Sequence, residues 1–265
     1  MNKFSLLITI VTISLTLTSC SNKNNPDLPL GHFAEVRSTG LGSVYFVDSE
    51  DIRLNPTTQS INSLNAQGIT FPEGISFIYY TLVQSQANNG NEHTIELIDG
   101  VSINREFIYA ETGDGGDFPS TAPISRLDRA ITSENEIYIM NDRYMLLGVN
   151  YYLNTTTDGK LKSHYFAMVY LRDETTAESS TLKLYLRHDS LGDENGVYQS
   201  SLLDNIRIYY MAFDLREALD HFSSETGKNQ FTISLTADIA SEASQNIEQA
   251  VQREYLYNYS PTNRP

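Results

Sequence analysis

Leu182-Lys183-Leu184-Tyr185-Leu186-Arg187 alternates a branched aliphatic side chain with a charged or amphipathic one through six residues. A period of two belongs to an extended chain whose successive side chains point to opposite faces, so this stretch reads as a strand with one buried and one wet face. Phe231, Ile233 and Leu235 against Thr232, Ser234 and Thr236 repeat the pattern. Several such strands in one chain imply an antiparallel sandwich. Working outward, strands are expected at Ile137 to Met140, Tyr144 to Leu153, His164 to Leu171, Leu182 to His188, Ile206 to Phe213, Phe231 to Ala237 and Tyr255 to Tyr259. Short helices are expected at Ile124 to Ile131 and at Leu215 to Phe222, the latter with Asp214 as N-cap, and Ser241 to Arg253 reads as a helix or a long loop.

Upstream, Val44 to Val47 and Ile75 to Val83 are apolar runs, with Ile75, Phe77, Tyr79 and Val83 on one face. Asn88-Asn89-Gly90-Asn91 is turn chemistry, because Asn and Gly accept positive φ. The following strand runs from His93 to Ile103 with a bend or bulge at Asp99-Gly100. These short strands suggest a small barrel. Glu111 to Pro123 is the densest Gly and Pro stretch, which places a domain boundary there. The expected organisation is a signal segment over 1–19, a tether over 20–40, a barrel over 41–110, a linker over 111–124 and a sandwich over 125–265. Composition agrees: 17 Tyr, 11 Phe and frequent Thr, Ile and Val suit pleated, half-buried surfaces.

The amino terminus carries an address. Lys3 precedes an apolar run from Phe4 to Thr18, and small residues lead to Cys20, the layout of a secretory signal. That run is too short for a bilayer-spanning helix, which needs about 20 residues. Leu17-Thr18-Ser19-Cys20 resembles the bacterial lipobox, which implies diacylglycerol on Cys20 and cleavage before it. The alternative is an ordinary secretory signal or a buried cysteine. Cys20 is the chain's one cysteine, so it closes no internal disulfide. Two or more acyl chains anchor stably where a single one binds marginally. Ser21 is not the aspartate associated with inner-membrane retention, which favours the outer membrane and leaves its face open.

The 33 acidic residues outnumber 18 basic ones, and loss of Lys3 with the signal takes the net charge from −15 to −16. Such a surface repels phosphate backbones, so nucleic acid is not an expected partner. No dinucleotide, P-loop, nucleophile-elbow or zinc-protease signature occurs. The histidines His32, His93, His164, His188 and His221 share no metal-ligand spacing. Arg187-His188-Asp189 looks chemical, yet neighbours in a strand face opposite ways, and a strand end with Arg187 paired to an acid is the simpler account. Asp114-Gly115-Gly116-Asp117 and Asp189 to Gly196, with Asp193 and Glu194, offer oxygen ligands of the kind calcium takes, yet neither has EF-hand spacing, and solvated acidic turns are the simpler account. Tyr151 and Tyr152 suit either sugar stacking or the sandwich core.

Ile78-Tyr79-Tyr80-Thr81-Leu82, Asn141-Asp142-Arg143-Tyr144-Met145-Leu146, His164-Tyr165-Phe166-Ala167-Met168-Val169, Leu184-Tyr185-Leu186-Arg187-His188-Asp189 and Phe213-Asp214-Leu215 resemble, in order and spacing, the NigD-like lipoproteins of Bacteroidetes. The resemblance implies an OB-type barrel followed by a β-sandwich and no general catalytic role, and it carries over no functional residues. The expectation is a non-enzymatic outer-membrane lipoprotein without cofactor or metal, anchored through Cys20, that binds an envelope protein, peptide or glycan. The alternative is a bacteriocin-associated effector or immunity-type protein. A hydrolase with paired carboxylates finds no support in spacing.

Overall fold

The computed structural model describes residues 28–40, 43–83, 91–110, 118, 120–128, 135–152, 164–191, 206–241 and 246–261. Cys20 and the expected signal segment lie outside them. Strands β1 (Leu30–Ser38), β2 (Val44–Val47), β3 (Arg53–Pro56), β4 (Gly74–Leu82) and β5 (Glu92–Ser102) close a barrel in the order β1-β2-β3-β5-β4. Only β3 and β5 run parallel in it. Helix α1 (Thr58–Ala66) links β3 to β4, and Thr57 opens it by accepting the Ser60 N–H at 3.2 Å.

Alternation fills the barrel. Ala34, Val36, Phe46, Leu54, Ile78, Tyr80, Ile95 and Leu97 point inward, joined by Leu64 of α1 and by Phe71. On β4 the interior therefore takes Ile78 and Tyr80, while Ile75, Phe77 and Tyr79 share the outer face, as their common parity predicts. Pairing of β4 with β5 shifts between Tyr79↔Asp99 and Tyr80↔Leu97, which leaves Ile98 as the extra residue of a bulge. The break expected at Asp99-Gly100 is thus one residue earlier. Gly100 serves close packing, since a Cβ there would collide with the Phe71 ring.

The second body is a two-sheet sandwich. One sheet takes β6 (Glu106–Ala110), β10 (Tyr165–Leu171), β11 (Thr181–Asp189), β13 (Phe231–Ile239) and β14 (Val251–Tyr259) in the order β14-β13-β11-β10-β6. The other takes β7 (Arg126–Asp128), β9 (Tyr144–Tyr152) and β12 (Ile206–Asp214), with β8 (Ile137–Met140) sharing an edge of β9 with β7. The core lies between them, where Leu182, Leu184 and Leu186 of β11 and Ile233 and Leu235 of β13 meet Met145, Leu147 and Val149 of β9 and Met211 and Phe213 of β12. Helix α2 (Arg216–Thr226) follows β12 and buries Ala218, Leu219 and Phe222, and Gly227 ends it at φ 68°. Its cap residue is Leu215, which has no polar side chain; Asp214 instead accepts the Arg216 N–H at 3.1 Å.

The all-β fold matches expectation, and five features differ from it. First, β10–β6 and β11–β13 are parallel, so the sandwich is mixed. Second, β1 lies within the expected tether and supplies a barrel wall from Leu30 onward. Third, β6, expected in the barrel, pairs in the sandwich, and the crossing falls at Ile103-Asn104-Arg105. There Ile103 N–H donates to Ile75 O of the barrel, and Ala212 N–H of the sandwich donates to Ile103 O. Fourth, the later part of the expected linker is bound to the sandwich: Thr121 N–H donates to His188 O and Ile124 N–H to Asp238 O, both at 2.9 Å. Fifth, Arg126–Asp128 form a strand where a helix was expected, and Val251 to Arg253 begin β14.

Barrel and sandwich share a small apolar seam of Ile75, Ile103, Met140, Tyr144, Leu146 and Ala212. Beside it Glu35 of β1 is 3% exposed. It accepts from Arg37 Nη2 at 2.7 Å and Asn141 Nδ2 at 2.8 Å, with Arg143 Nη1 at 3.7 Å. Arg143 also grips Asp214 through Nε at 2.9 Å and Nη2 at 2.5 Å. Burial would raise the Asp214 pKa, but the hydrogen bonds from Arg143 and Arg216 outweigh it and hold this carboxyl below its ordinary value. Replacing Arg143 with Met should cost about 1–3 kcal/mol in urea unfolding, because Asp214 loses its bidentate partner and Glu35, which keeps Arg37 and Asn141, loses a second cation. Adding Glu35→Gln to that variant should recover part of the loss. A single-variant cost below about 1 kcal/mol would show that Arg143 does not hold the seam.

Candidate functional site

Of the five histidines, separated in sequence, the fold brings two together. Strand β11 continues its alternation past Leu186, so His188 faces the core at 2% exposure while Arg187 and Asp189 face away. Its antiparallel partner β10 places Phe166 opposite, and the His188 and Phe166 rings stack at 4.3 Å with 5° between planes. Tyr151 of β9 closes in edge-on at 5.4 Å. His164, just before β10, places Nδ1 2.7 Å from His188 Nε2. One nitrogen donates and the other accepts, so one of the facing nitrogens carries the shared proton and the other is bare.

This surrounding sets the chemistry. Burial and the adjacent His164 push His188 down to about 3, only partly offset by the Ala122–Pro123 backbone and by Asp189. His188 Nδ1 faces that backbone without a well-formed hydrogen bond. A base of such low affinity for protons is badly matched to neutral-pH catalysis, which works best with a pKa near the operating pH. Asp189 does not orient the imidazole. Its Oδ1 accepts from Thr121 Oγ1 at 2.8 Å and from Leu191 N–H at 2.9 Å, pinning the 120–124 segment to the strand end. The acid expected to pair with Arg187 is not found among the described residues; its guanidinium sits 5.6 Å from the Tyr185 ring centre.

The other histidines are held separately. His221 Nδ1 lies 2.7 Å from the Tyr170 hydroxyl, and Nε2 accepts from Arg172 Nε at 3.0 Å, which fixes the proton on Nδ1. Burial and the Arg172 charge lower its pKa. His32 Nδ1 meets the Tyr80 hydroxyl at 3.2 Å, and His93 Nδ1 is buried on β5. Among the described residues no three His, Cys, Asp or Glu side chains cluster as a metal site. Tyr151 is 5% exposed and belongs to the core, and Tyr152 is half-buried. Asp114, Asp117, Asp193 and Glu194 lie outside the described residues. Sequence reading missed the Glu35–Arg143–Asp214 network, although the family-like segments around Arg143 and Asp214 held two of its three members.

The barrel carries a different grouping on its outer wall. Register sets Arg37 of β1 opposite Tyr45 of β2, and Arg53 of β3 lies 4.0 Å over the Tyr45 ring. Arg53 Nε donates to Asn55 Oδ1 at 2.9 Å, and Nη1 is 3.7 Å from Glu92. Arg53 thus covers one face of the Tyr45 ring, with planar hydrogen-bonding groups beside it.

No protein-family model matches the chain, and comparison with curated proteins finds no match. Among solved structures the chain is similar to a candidate lipoprotein from Bacteroides fragilis, with TM-score 0.68, 19% identity and coverage of 89% of this chain and 100% of that one. It is also similar to a candidate toxin-related protein from Parabacteroides distasonis, with TM-score 0.56, 17% identity and coverage of 88% and 94%. A NigD-like immunity protein from Bacteroides caccae gives TM-score 0.54 and 17% identity over 86% and 97%. At these identities the likeness is one of fold, and it bears out the resemblance to NigD-like lipoproteins.

The low proton affinity of His188 makes a test. In the unfolded chain it protonates near 6.5, and in the folded chain near 3, so between these values the unfolded state binds more protons. Its stabilising contribution is present above pH 6.5 and falls as pH drops toward 3, by up to about 1.4 kcal/mol per pH unit. Urea titrations from about pH 7 to 4 should therefore show a shallower loss for His188→Phe than for the native chain. Equal slopes would mean that His188 is not held neutral by burial.

Proposed function

We propose that this chain is a NigD-like lipoprotein of the outer membrane, anchored through Cys20, that works by binding an envelope component, a peptide or a glycan, rather than by catalysis. The observation that carries the reading is the shared fold along the full length of a structure described as a candidate lipoprotein, set beside the lipobox-like Leu17-Thr18-Ser19-Cys20. The barrel supports the binding half: a five-stranded order β1-β2-β3-β5-β4 with a helix between β3 and β4 is the arrangement of OB folds, whose β2–β3 face takes oligonucleotides and oligosaccharides. Tyr45, Arg53 and Asn55 stand on that face, with Arg37 of β1 beside them. The net charge of −15 disfavours oligonucleotides and leaves glycans and peptides. Fold analogy supplies the class of ligand and nothing finer. The commitment of His188 and Asp189 to packing and to Thr121 supports a non-catalytic role.

A second reading, an immunity-type protein, is favoured by the likeness to the B. caccae structure. It differs in partner, a bacteriocin in place of a resident envelope component.

Expressed in a Gram-negative host, the native chain should incorporate labelled fatty acid and fractionate with membranes, and Cys20→Ser should abolish both. Label retained by the variant would remove the anchor. For the binding face, Tyr45→Ala should lose at least tenfold in affinity for whichever envelope glycan or peptide the native protein retains, with an unchanged melting temperature. Turnover of a glycoside, ester or peptide that disappears in His188→Ala at unchanged melting temperature would overturn the non-catalytic reading.

A further inference from the structure

Away from Tyr45, the outer face of β1, β4 and β5 is apolar and partly open. Register aligns Phe33 of β1, Phe77 of β4 and Val101 of β5 in one row, and Gly31, Tyr79 and Asp99 in the next. The bulged Ile98 adds to the second row. Val101 is 50% and Ile98 45% exposed, Phe77 and Tyr79 are half-buried, and Phe33 closes the far end of its row against Tyr210 of the sandwich at 5.4 Å. Gly31 keeps the face flat, since a Cβ there would meet the Phe77 ring at 2.8 Å. Six large apolar side chains are exposed among the described residues, and two of them, Ile98 and Val101, stand on this face. Scattered exposed apolar residues are ordinary, whereas a contiguous group marks a contact surface.

The course of the chain says what that contact is. Leu30 pairs with Tyr80 and Gly31 with Tyr79, so the chain enters β1 at the Tyr79 and Ile98 end of the face. Cys20 lies eight residues before Leu28, a span of no more than about 29 Å at full extension. We infer that the outer face of β1, β4 and β5 rests on the lipid surface, with Val101 and Ile98 against the acyl boundary and Tyr79 at headgroup level. Tyrosine suits that level because its ring is apolar and its hydroxyl wet. Two acids share this face, and both are held locally: Asp99 Oδ1 accepts the Gly100 N–H at 2.7 Å, and Glu96 accepts the Thr57 hydroxyl at 3.0 Å. The inference rests on the proposed lipid at Cys20, and it adds an orientation: the Tyr45 face, elsewhere on the barrel wall, is left clear of the bilayer.

The chain has no tryptophan, so a single introduced one reports alone. Val101→Trp, with Ile98→Trp as a second reporter should the first fail to fold, is compared with Leu256→Trp, whose site on β14 is 65% exposed. The full lipidated protein is placed in phosphatidylcholine and phosphatidylethanolamine vesicles, with or without bromine on the acyl chains. The reporter in Val101→Trp or Ile98→Trp should be quenched at least twofold more by the brominated lipids than that in Leu256→Trp, with emission shifted to shorter wavelength. Protein that floats with the vesicles yet shows equal, weak quenching at the barrel and β14 sites overturns the orientation and leaves the anchor standing. Protein that neither floats nor carries fatty acid overturns the anchor itself. Shielding of the Val101→Trp reporter in detergent-free solution without vesicles, accompanied by dimers in sedimentation, would give the face to a second copy and also overturn the inference.

Discussion

The Arg143 guanidinium is the point on which the two-body arrangement turns. It leaves a hairpin whose Asn141 and Asp142 take positive φ of 53° and 54°, a conformation these two residue types tolerate better than most. That tight turn, closed further by Tyr259 donating its hydroxyl to Asp142 O, directs Arg143 at Asp214 within its own sheet and at Glu35 across the seam. Bidentate pairing with Asp214 fixes the guanidinium plane. Glu35 then meets an already oriented charge beside its closer partners Arg37 and Asn141, and the three together make its burial tolerable. Two of the family-like segments, Asn141–Leu146 and Phe213–Leu215, meet at this network, so the resemblance in sequence coincides with the geometry that joins barrel to sandwich.

What could be read in the sequence follows from how local each signal is. Strands with one wet and one buried face, such as β11 and β13, were legible from alternation alone, and β2 and β8 have the expected limits. Strand β1 was not legible. Its Leu30-Gly31-His32-Phe33-Ala34-Glu35-Val36-Arg37 sequence mixes a glycine chosen for flatness and an acid committed to the seam among its apolar positions, so its pattern looks polar. Strand β3 is four residues long and α1 is mostly Ser, Asn, Thr and Gln, below what periodicity can register. The placement of β6 beside β10, and the parallel pair β11–β13, are matters of long-range pairing that no local pattern encodes.

The histidine grouping divides in the same way. Alternation along β11 foretold that His188 and Asp189 would part, and they do. The contact with His164, 24 residues earlier, needed the β10–β11 register as well. The expected acid for Arg187 failed although Asp189 shares its outward face, because that carboxylate is committed to Thr121 and Leu191 and the guanidinium lies by the Tyr185 ring instead. Asp189 found its use in a segment that sequence reading had assigned to a free linker.

These commitments bear on how such a protein can recognise anything. The barrel interior is occupied, with Phe71 pressed against Gly100, and one end of the sandwich core is closed by the Phe166–His188 stack with Tyr151 edge-on against it. The polar groups most capable of chemistry are spent inside: Glu35, Arg143 and Asp214 on each other, Asp189 on Thr121, His221 on Tyr170 and Arg172. A small recess of 410 Å³ beside Lys228, Asn229, Gln230 and Pro261 brings no opposed acid and base together. Under the proposed binding role, recognition among the described residues falls to outer strand faces, which are broad and shallow and so suit extended partners better than small enclosed ones. The barrel has two such faces of unlike chemistry, one apolar where the chain arrives from its proposed anchor and one bearing Arg37, Tyr45 and Arg53. A wall divided in this manner can hold to a membrane on one side and present hydrogen-bonding groups to the envelope on the other.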